Sequence, residues 1–73
     1  MPKLCLLRLA EDAPEPWLRK LLRLAAASGA ELYALDRGRV KLVVGSRTIV
    51  KSGLRDLRFT DLDPAPADPN SRR

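Results

Sequence analysis

The chain has 73 residues, with 14 lysines and arginines against 9 acidic residues, a net charge of +5, one cysteine and no histidine. This composition excludes histidine-based acid–base catalysis, a zinc site of cysteine and histidine, and an intramolecular disulfide. A chain this short buries only about 60% of its unfolded surface, which argues against a large internal cavity. We therefore expect one small domain that is not an enzyme and binds no metal or cofactor.

The sequence predicts neither a membrane span nor a secretion signal. Its apolar run over residues 4–10 is short and is interrupted by Arg8. The unpaired Cys5 fits a reducing cytosol. Its position inside the apolar run predicts a small buried side chain and not a reactive thiol.

The first element in chain order is a predicted strand over residues 3–9, KLCLLRL. Its leucines would fall on both sides, and a strand that is apolar on both sides usually lies inside a sheet or in parallel pairing. The acidic and proline-rich residues 11–16, EDAPEP, would end it, because proline cannot donate to a strand ladder.

Residues 16–29 predict the helix that covers one face of the sheet. Pro16 suits the first helical position, and Gly29 suits the left-handed conformation that closes a helix. Apolar residues spaced by three and four form a broad stripe that we expect to face the core: Trp17, Leu18, Leu21, Leu22, Leu24 and Ala25. The opposite side of this helix carries three basic residues, which are Arg19, Lys20 and Arg23.

Three further strands are predicted, over residues 31–36, 39–44 and 47–51. A turn centred on Arg37 and Gly38 would pair Tyr33 with Leu42 and place both under the helix. A right-handed crossover through one helix would set the first strand parallel to the second.

Two registers are open for the second hairpin. A two-residue loop at residues 45–46 would align Val44 with Arg47 and turn Arg47 and Lys51 toward the helix. A three-residue loop would align Val44 with Thr48 and keep both charges outside. We favour the three-residue loop, because burying unpaired charge costs more than an irregular turn.

The predicted fold class is α+β. It is a two-layer β-α-β-β-β sandwich, with one helix packed on a small mixed or antiparallel sheet, and residues 1–62 form the single domain. Residues 54–62 fit either a short strand or a helical turn. Residues 63–73, DPAPADPNSRR, predict a disordered, flexible C-terminal tail because they combine repeated proline with polar and charged residues.

The positive charge is concentrated in residues 37–60, where seven side chains are basic and only Asp56 is acidic, for a net charge of +6. Such a segment attracts an acidic partner, whether a nucleic acid or an acidic protein surface. The alternative is a solvated face that keeps a small protein soluble.

One helix covers only one face of a sheet, so the other face is the predicted partner-binding surface. Its predicted members are apolar residues bordered by cations: Arg39, Lys41, Val43, Ile49, Lys51 and Leu32. Secondary candidates are four basic residues outside this set, namely Arg19, Lys20, Arg23 and Arg47. The alternative is that Leu57 and Phe59 fold back across part of this face.

A nucleic-acid partner is the secondary interpretation, through residues 37–58. Base stacking needs aromatic platforms, but Tyr33 is expected to face the core, and Trp17 and Phe59 lie elsewhere in the chain. The sequence also lacks a helix-turn-helix pair, a glycine-rich phosphate loop and a zinc pattern. We therefore favour a protein partner, and we expect a monomer without membrane contact.

As a whole, the chain resembles the small phage-encoded regulators, or inhibitors, of host bacterial RNA polymerase from lytic phages of plant-pathogenic bacteria. The resemblance runs from MPKLCLLRLAEDAPEPWLRKLLRL through KLVVGSRTIVKSG to the Asp/Pro-rich tail, in length, element order and basic character. It implies binding to the N-terminal segment of the β′ subunit and to the β flap, in the host bacterial cytoplasm. It further implies inhibition of σ-dependent initiation and antitermination by the modified polymerase. No functional residue is assigned from it.

Overall fold

The computed structural model describes residues 2–62 and shows an α+β fold, which confirms the predicted class. Two helices lie on one face of a four-stranded antiparallel sheet with strand order β1-β2-β3-β4. The elements in chain order are β1 (Lys3–Leu4), α1 (Leu6–Asp12), α2 (Pro16–Ala27), β2 (Glu31–Ala34), β3 (Val40–Val44) and β4 (Arg47–Lys51). The flexible tail predicted for residues 63–73 lies outside the described residues.

The predicted first strand is mostly a helix, because β1 has two residues and α1 follows it at once. The sequence of α1, LLRLAED, contains no β-branched residue, and its three leucines, arginine, alanine and glutamate are good helix formers. Leu6, Ala10 and Ala13 recur at spacings of four and three and are buried, whereas Leu7 is 58% exposed. Cys5, which we expected to be buried, is exposed immediately before α1.

Prolines separate the two helices. Ala13 precedes Pro14 and is extended, with φ −68° and ψ 129°, because a following proline disfavours the helical region. Pro16 opens α2 at its first position, as predicted. The connection from β1 to β2 therefore contains two packed helices, which reverse the chain once more than one helix would. β2 pairs antiparallel with β1, so the predicted parallel crossover is wrong.

The end of α2 follows its sequence signal. Gly29 adopts φ +77° and donates its N–H to the Ala26 carbonyl at 3.1 Å, and Ala30 donates to the Ala25 carbonyl at 3.0 Å. These two hydrogen bonds form a Schellman motif, which satisfies carbonyls that the helix leaves without partners. The chain then enters β2 directly after Ala30, which is buried.

Only the centre of the predicted apolar stripe of α2 is buried. Its buried members span about 100° of the helix circumference and are Leu18, Leu21, Leu22 and Ala25. Trp17 and Leu24 lie beyond this arc and are 37% and 43% exposed, so including them in the core was wrong.

The first hairpin differs from its predicted register by one residue. Leu42 pairs with Leu32, and Tyr33 pairs with Lys41. A shift of one residue turns every side chain of a strand to the opposite face. Leu32, predicted on the open face, is therefore completely buried, and Tyr33, predicted under the helices, lies on the open side.

A β-bulge causes this shift. The turn lies at Arg37 and Gly38 as predicted, and both have positive φ. However, the Leu35 N–H donates to the Arg39 carbonyl at 2.8 Å, while the Arg39 N–H donates to the Asp36 carbonyl at 3.2 Å. Two residues of one strand thus oppose one residue of the other, which defines a bulge.

The second hairpin has the two-residue loop, so the three-residue register that we favoured is wrong. Val44 pairs with Arg47, and this register turns Arg47, Ile49 and Lys51 toward the helices. Ile49 and Lys51 are therefore not on the open face. The Lys51 Nζ lies 3.4 Å from the Asp61 Oδ2, so its charge is paired on the helix side.

The C-terminal described segment also packs on the helix side. It forms two 3-10 turns, Leu54–Asp56 and Phe59–Leu62, which corresponds to the predicted helical-turn alternative. Leu57, between the turns, is completely buried in the core, and the second turn contacts α2. The alternative in which Leu57 and Phe59 cover the open face is wrong, and Phe59 is 40% exposed.

Candidate interaction surface on the open sheet face

The side of the sheet opposite the helices carries seven strand residues, which we call the open face: Lys3, Glu31, Tyr33, Lys41, Val43, Thr48 and Val50. Strand pairing and the alternation of side chains assign them to one side. All seven are exposed or half-buried, whereas their core-facing neighbours Leu32 and Leu42 are buried. The open face thus combines basic, acidic, aromatic and apolar groups on regular strands.

A row of side chains crosses all four strands of the open face. Lys3 on β1 lies opposite Tyr33, Tyr33 lies opposite Lys41, and Lys41 lies opposite Val50. The Lys41 Nζ is 4.9 Å from the centroid of the Tyr33 ring, which is within cation–π distance. The centre of the open face is therefore an aromatic ring with a lysine on each side.

Glu31 connects two members of this row. The Lys3 Nζ donates to the Glu31 Oε2 at 3.0 Å, and the Tyr33 hydroxyl donates to the Oε1 at 2.9 Å. The hydrogen bond and charge of Lys3, with the bond from Tyr33, lower the pKa of Glu31. The same carboxylate raises the pKa of Lys3 and of Tyr33. Lys3 and Glu31 carry opposite charges, so Lys41 supplies the net positive charge at the centre.

The half of the open face nearest β4 carries both of its valines. Val43 lies opposite Thr48, and Val50 is 52% exposed on the last strand. Valines on an uncovered sheet face beside a charged row resemble the composition of a protein interface, in which a small apolar centre has a polar border.

The bulged hairpin places further cations at one end of this surface. Arg37 is exposed at the turn, and the Arg39 Nη2 contacts the Asp36 Oδ1 at 2.7 Å. The hydrogen bond and charge of Arg39 lower the pKa of Asp36. Arg39 thus lies beside the open face and already has an acidic partner.

The structure divides the predicted binding residues into separate groups. Lys41 and Val43 are together on the open face, and Arg39 is at its hairpin end. The other three primary candidates and Arg47 point to the helix side. The remaining candidates lie on the outer surface of α2, where they line a shallow groove with Glu11 and Leu24: Arg19, Lys20 and Arg23.

Sequence reasoning missed five residues of the open face: Lys3, Glu31, Tyr33, Thr48 and Val50. The bulge that hid them shifts the register of β2 by one residue, and an alternation of apolar residues does not locate such an insertion.

Within residues 2–62, no cluster of three or more histidine, cysteine or acidic residues has a metal-binding arrangement. The helices of that same part of the chain are too short or too polar to cross a membrane. What the open face offers is a surface for contact, with charge, hydrogen-bonding groups and an aromatic ring.

Comparison with known proteins identifies no relative. No protein-family model matches the chain, and neither a curated protein nor a solved structure matches it. The open face is therefore the main structural observation from which a function is inferred.

Proposed function

We propose that the protein is a transcription regulator that binds bacterial RNA polymerase through the open face. The observation that supports a protein partner is the juxtaposition of Val43 and Val50 with the Tyr33–Lys41 pair on an uncovered sheet. Tyrosine is enriched at interface centres, where a few residues supply most of the binding energy. The valines would form the apolar centre of the contact, and Lys41 would steer an acidic partner toward it.

Polymerase is proposed as the partner because the chain resembles the phage regulators of that enzyme. In this proposal the monomer binds the β′ N-terminal segment and the β flap in the host bacterial cytoplasm. It inhibits σ-dependent initiation and promotes antitermination by occupying polymerase surfaces, without catalysis of its own. Regular strands hold the contact residues, so little conformational entropy is lost on binding.

The test is binding of the purified chain to core RNA polymerase of a plant-pathogenic bacterium, measured by biolayer interferometry at several salt concentrations. Lys41→Glu should slow association and reduce its dependence on salt, because Lys41 steers the encounter. Lys20→Glu, on the outer surface of α2, is the matched control and should have a smaller effect. Absence of binding by the unmodified chain refutes the proposal, and equal effects of both variants place the contact elsewhere.

A nucleic-acid-binding protein is the second candidate, because Tyr33 is on the open face and not in the core. A base could stack on this ring, and Lys3 and Lys41 flank it. Two observations weigh against this candidate. The Lys41 ammonium already occupies the vicinity of the ring, and the Glu31 carboxylate beside it repels phosphate.

Salt dependence separates the two candidates. Binding to a single-stranded nucleic acid loses about 0.7 log units of affinity per log unit of salt for each phosphate contact.

Fluorescence anisotropy with labelled oligothymidine and oligouridine measures the contribution of base stacking, by comparing Tyr33→Leu with Tyr33→Phe. Tight oligonucleotide binding that Tyr33→Leu abolishes and Tyr33→Phe keeps would support the second candidate.

A further inference from the structure

The two edges of the sheet differ in length. β1 is only two residues long, and the Pro2 carbonyl at its start accepts the Ala34 N–H at 3.0 Å. β4 has five residues and no proline. Within residues 2–62, no backbone hydrogen bond joins its outer side to another segment. An exposed edge of this length is a template for another strand.

The hairpin geometry determines which backbone groups of β4 are available. Val44 and Arg47 flank a two-residue loop, so they form a hydrogen-bonded pair. In an antiparallel ladder such pairs alternate with pairs whose groups point away. The odd-numbered residues of β4 therefore bond to β3, whereas Thr48 and Val50 direct their N–H and C=O groups outward. Both residues are exposed.

The side chains of β4 indicate the charge of a matching strand. Arg47 and Lys51 lie at its two ends on the helix side, with Ile49 between them. Both cations also interact within the chain, Lys51 with Asp61, so acidic residues of an added strand would share them with these contacts. A second copy pairing antiparallel about Ile49 would place each Arg47 opposite a Lys51. Like charges directly opposite are destabilising, so this edge disfavours its own copy and favours an acidic strand.

We propose that an acidic, extended segment of a partner protein adds to β4 as a fifth, antiparallel strand. In the register centred on Ile49, the first and fifth partner residues lie opposite Lys51 and Arg47. The fitting pattern is therefore acidic, β-branched, apolar, β-branched, acidic. The outward groups of Thr48 and Val50 supply the backbone hydrogen bonds. This site uses the backbone groups of Thr48 and Val50, whose side chains belong to the open face, and it does not depend on polymerase as the partner.

The test is amide hydrogen exchange of the full ¹⁵N-labelled chain, measured by NMR. The probe is the capped peptide Ser-Glu-Val-Ile-Thr-Glu-Ser, and its control has lysine at both glutamate positions. At about 1 mM glutamate peptide, the Thr48 and Val50 amides should exchange at least about tenfold more slowly, because they gain partners. The lysine peptide should leave them unchanged. No slowing, or equal slowing by both peptides, overturns the inference.

A pair of variants at one position tests the edge itself. Val50→Pro removes an outward N–H but no hydrogen bond to β3, so it should abolish peptide binding. Val50→Thr keeps that N–H and should preserve binding. The Leu42 amide, inside the β3 ladder, reports whether each variant is folded. Should Val50→Pro unfold the chain, the two peptides still decide the question with the unmodified protein.

The same exchange data identify the other possible occupants. Residues 63–73 have prolines at 64, 66 and 69, and proline has no N–H to donate to a ladder. Protection of Thr48 and Val50 in the free chain that disappears on truncation after Leu62 would assign the edge to this segment. Protection that rises with protein concentration would assign it to a second copy. Either result overturns the inference.

Discussion

The two faces of the sheet are built from the same strands but have opposite surroundings. On the helix side, Leu32 and Leu42 are at most 1% exposed and pack with Leu57. On the open face, their immediate neighbours Tyr33, Lys41 and Val43 are only half-buried. One step along a strand therefore changes a residue from core to surface. Substitutions of adjacent residues can therefore separate the stability of this chain from its proposed binding.

The largest expected difference between the faces concerns stability. Leu32→Ala should lower the free energy of unfolding by about 2–5 kcal/mol, because it removes buried methyl groups and leaves a cavity. Val43→Ala, on the open face, should cost less than about 1 kcal/mol. Urea denaturation of both variants measures the contrast. Similar losses would mean that both faces contribute to the core.

A smaller effect is expected where charge lies on the helix side. Asp61→Asn removes the charge that pairs with Lys51. In the unmodified chain the Arg58 N–H donates to the Asp61 Oδ2 at 2.8 Å, and the amide oxygen of asparagine can still accept this hydrogen bond. The loss should be about 1 kcal/mol, since the pair is partly shielded from solvent. Asp36→Asn, which breaks the exposed pair with Arg39, should change stability less, because water screens an exposed ion pair. Equal losses, again from urea denaturation, would show that the partly shielded pair stabilises the fold no more than the exposed pair does.

The smallest effect is a titration on the open face. Lys3→Gln should raise the pKa of Glu31 toward its ordinary value of 4.5, because Lys3 is its strongest charged partner. A lowered folded-state pKa stabilises the fold above the unfolded pKa, and this contribution is lost as pH falls through the folded value. The variant should lose that contribution. The pKa of Asp36, followed by NMR in the same titration, should stay unchanged, and an unchanged Glu31 would contradict the network.

Local signals made α2 predictable. Pro16 and Gly29 mark its start and its closure through conformational limits of single residues, which need no tertiary information. The strand positions of β3 and β4 followed from alternating β-branched residues. In contrast, the short leucine-rich run of α1 fits both periods, so the strand that the sequence predicts there is wrong.

The composition of the open face was less predictable, because it depends on register. One bulged residue at the first hairpin places Leu32 on the helix side and Tyr33 on the open face, the reverse of the prediction. A register error of one residue changes the face of every side chain along a strand. The register predicted for the second hairpin is wrong for a different reason. The partner of Lys51 is Asp61, ten residues away in a segment whose conformation was ambiguous. Without that contact, placing Lys51 on the helix side would bury an unpaired charge, which costs more free energy than an irregular turn.

The most direct test of the proposed separation is a measurement on Val43→Asp, with Leu42→Asp as its neighbouring control. Thermal unfolding and affinity for core RNA polymerase are measured on the same samples. Val43→Asp should remain folded and bind at least about tenfold more weakly, because a charge replaces part of the apolar centre. Leu42→Asp should unfold, because its charge would be buried without a partner. A Val43→Asp variant that unfolds, or that binds polymerase with unchanged affinity, would contradict the account.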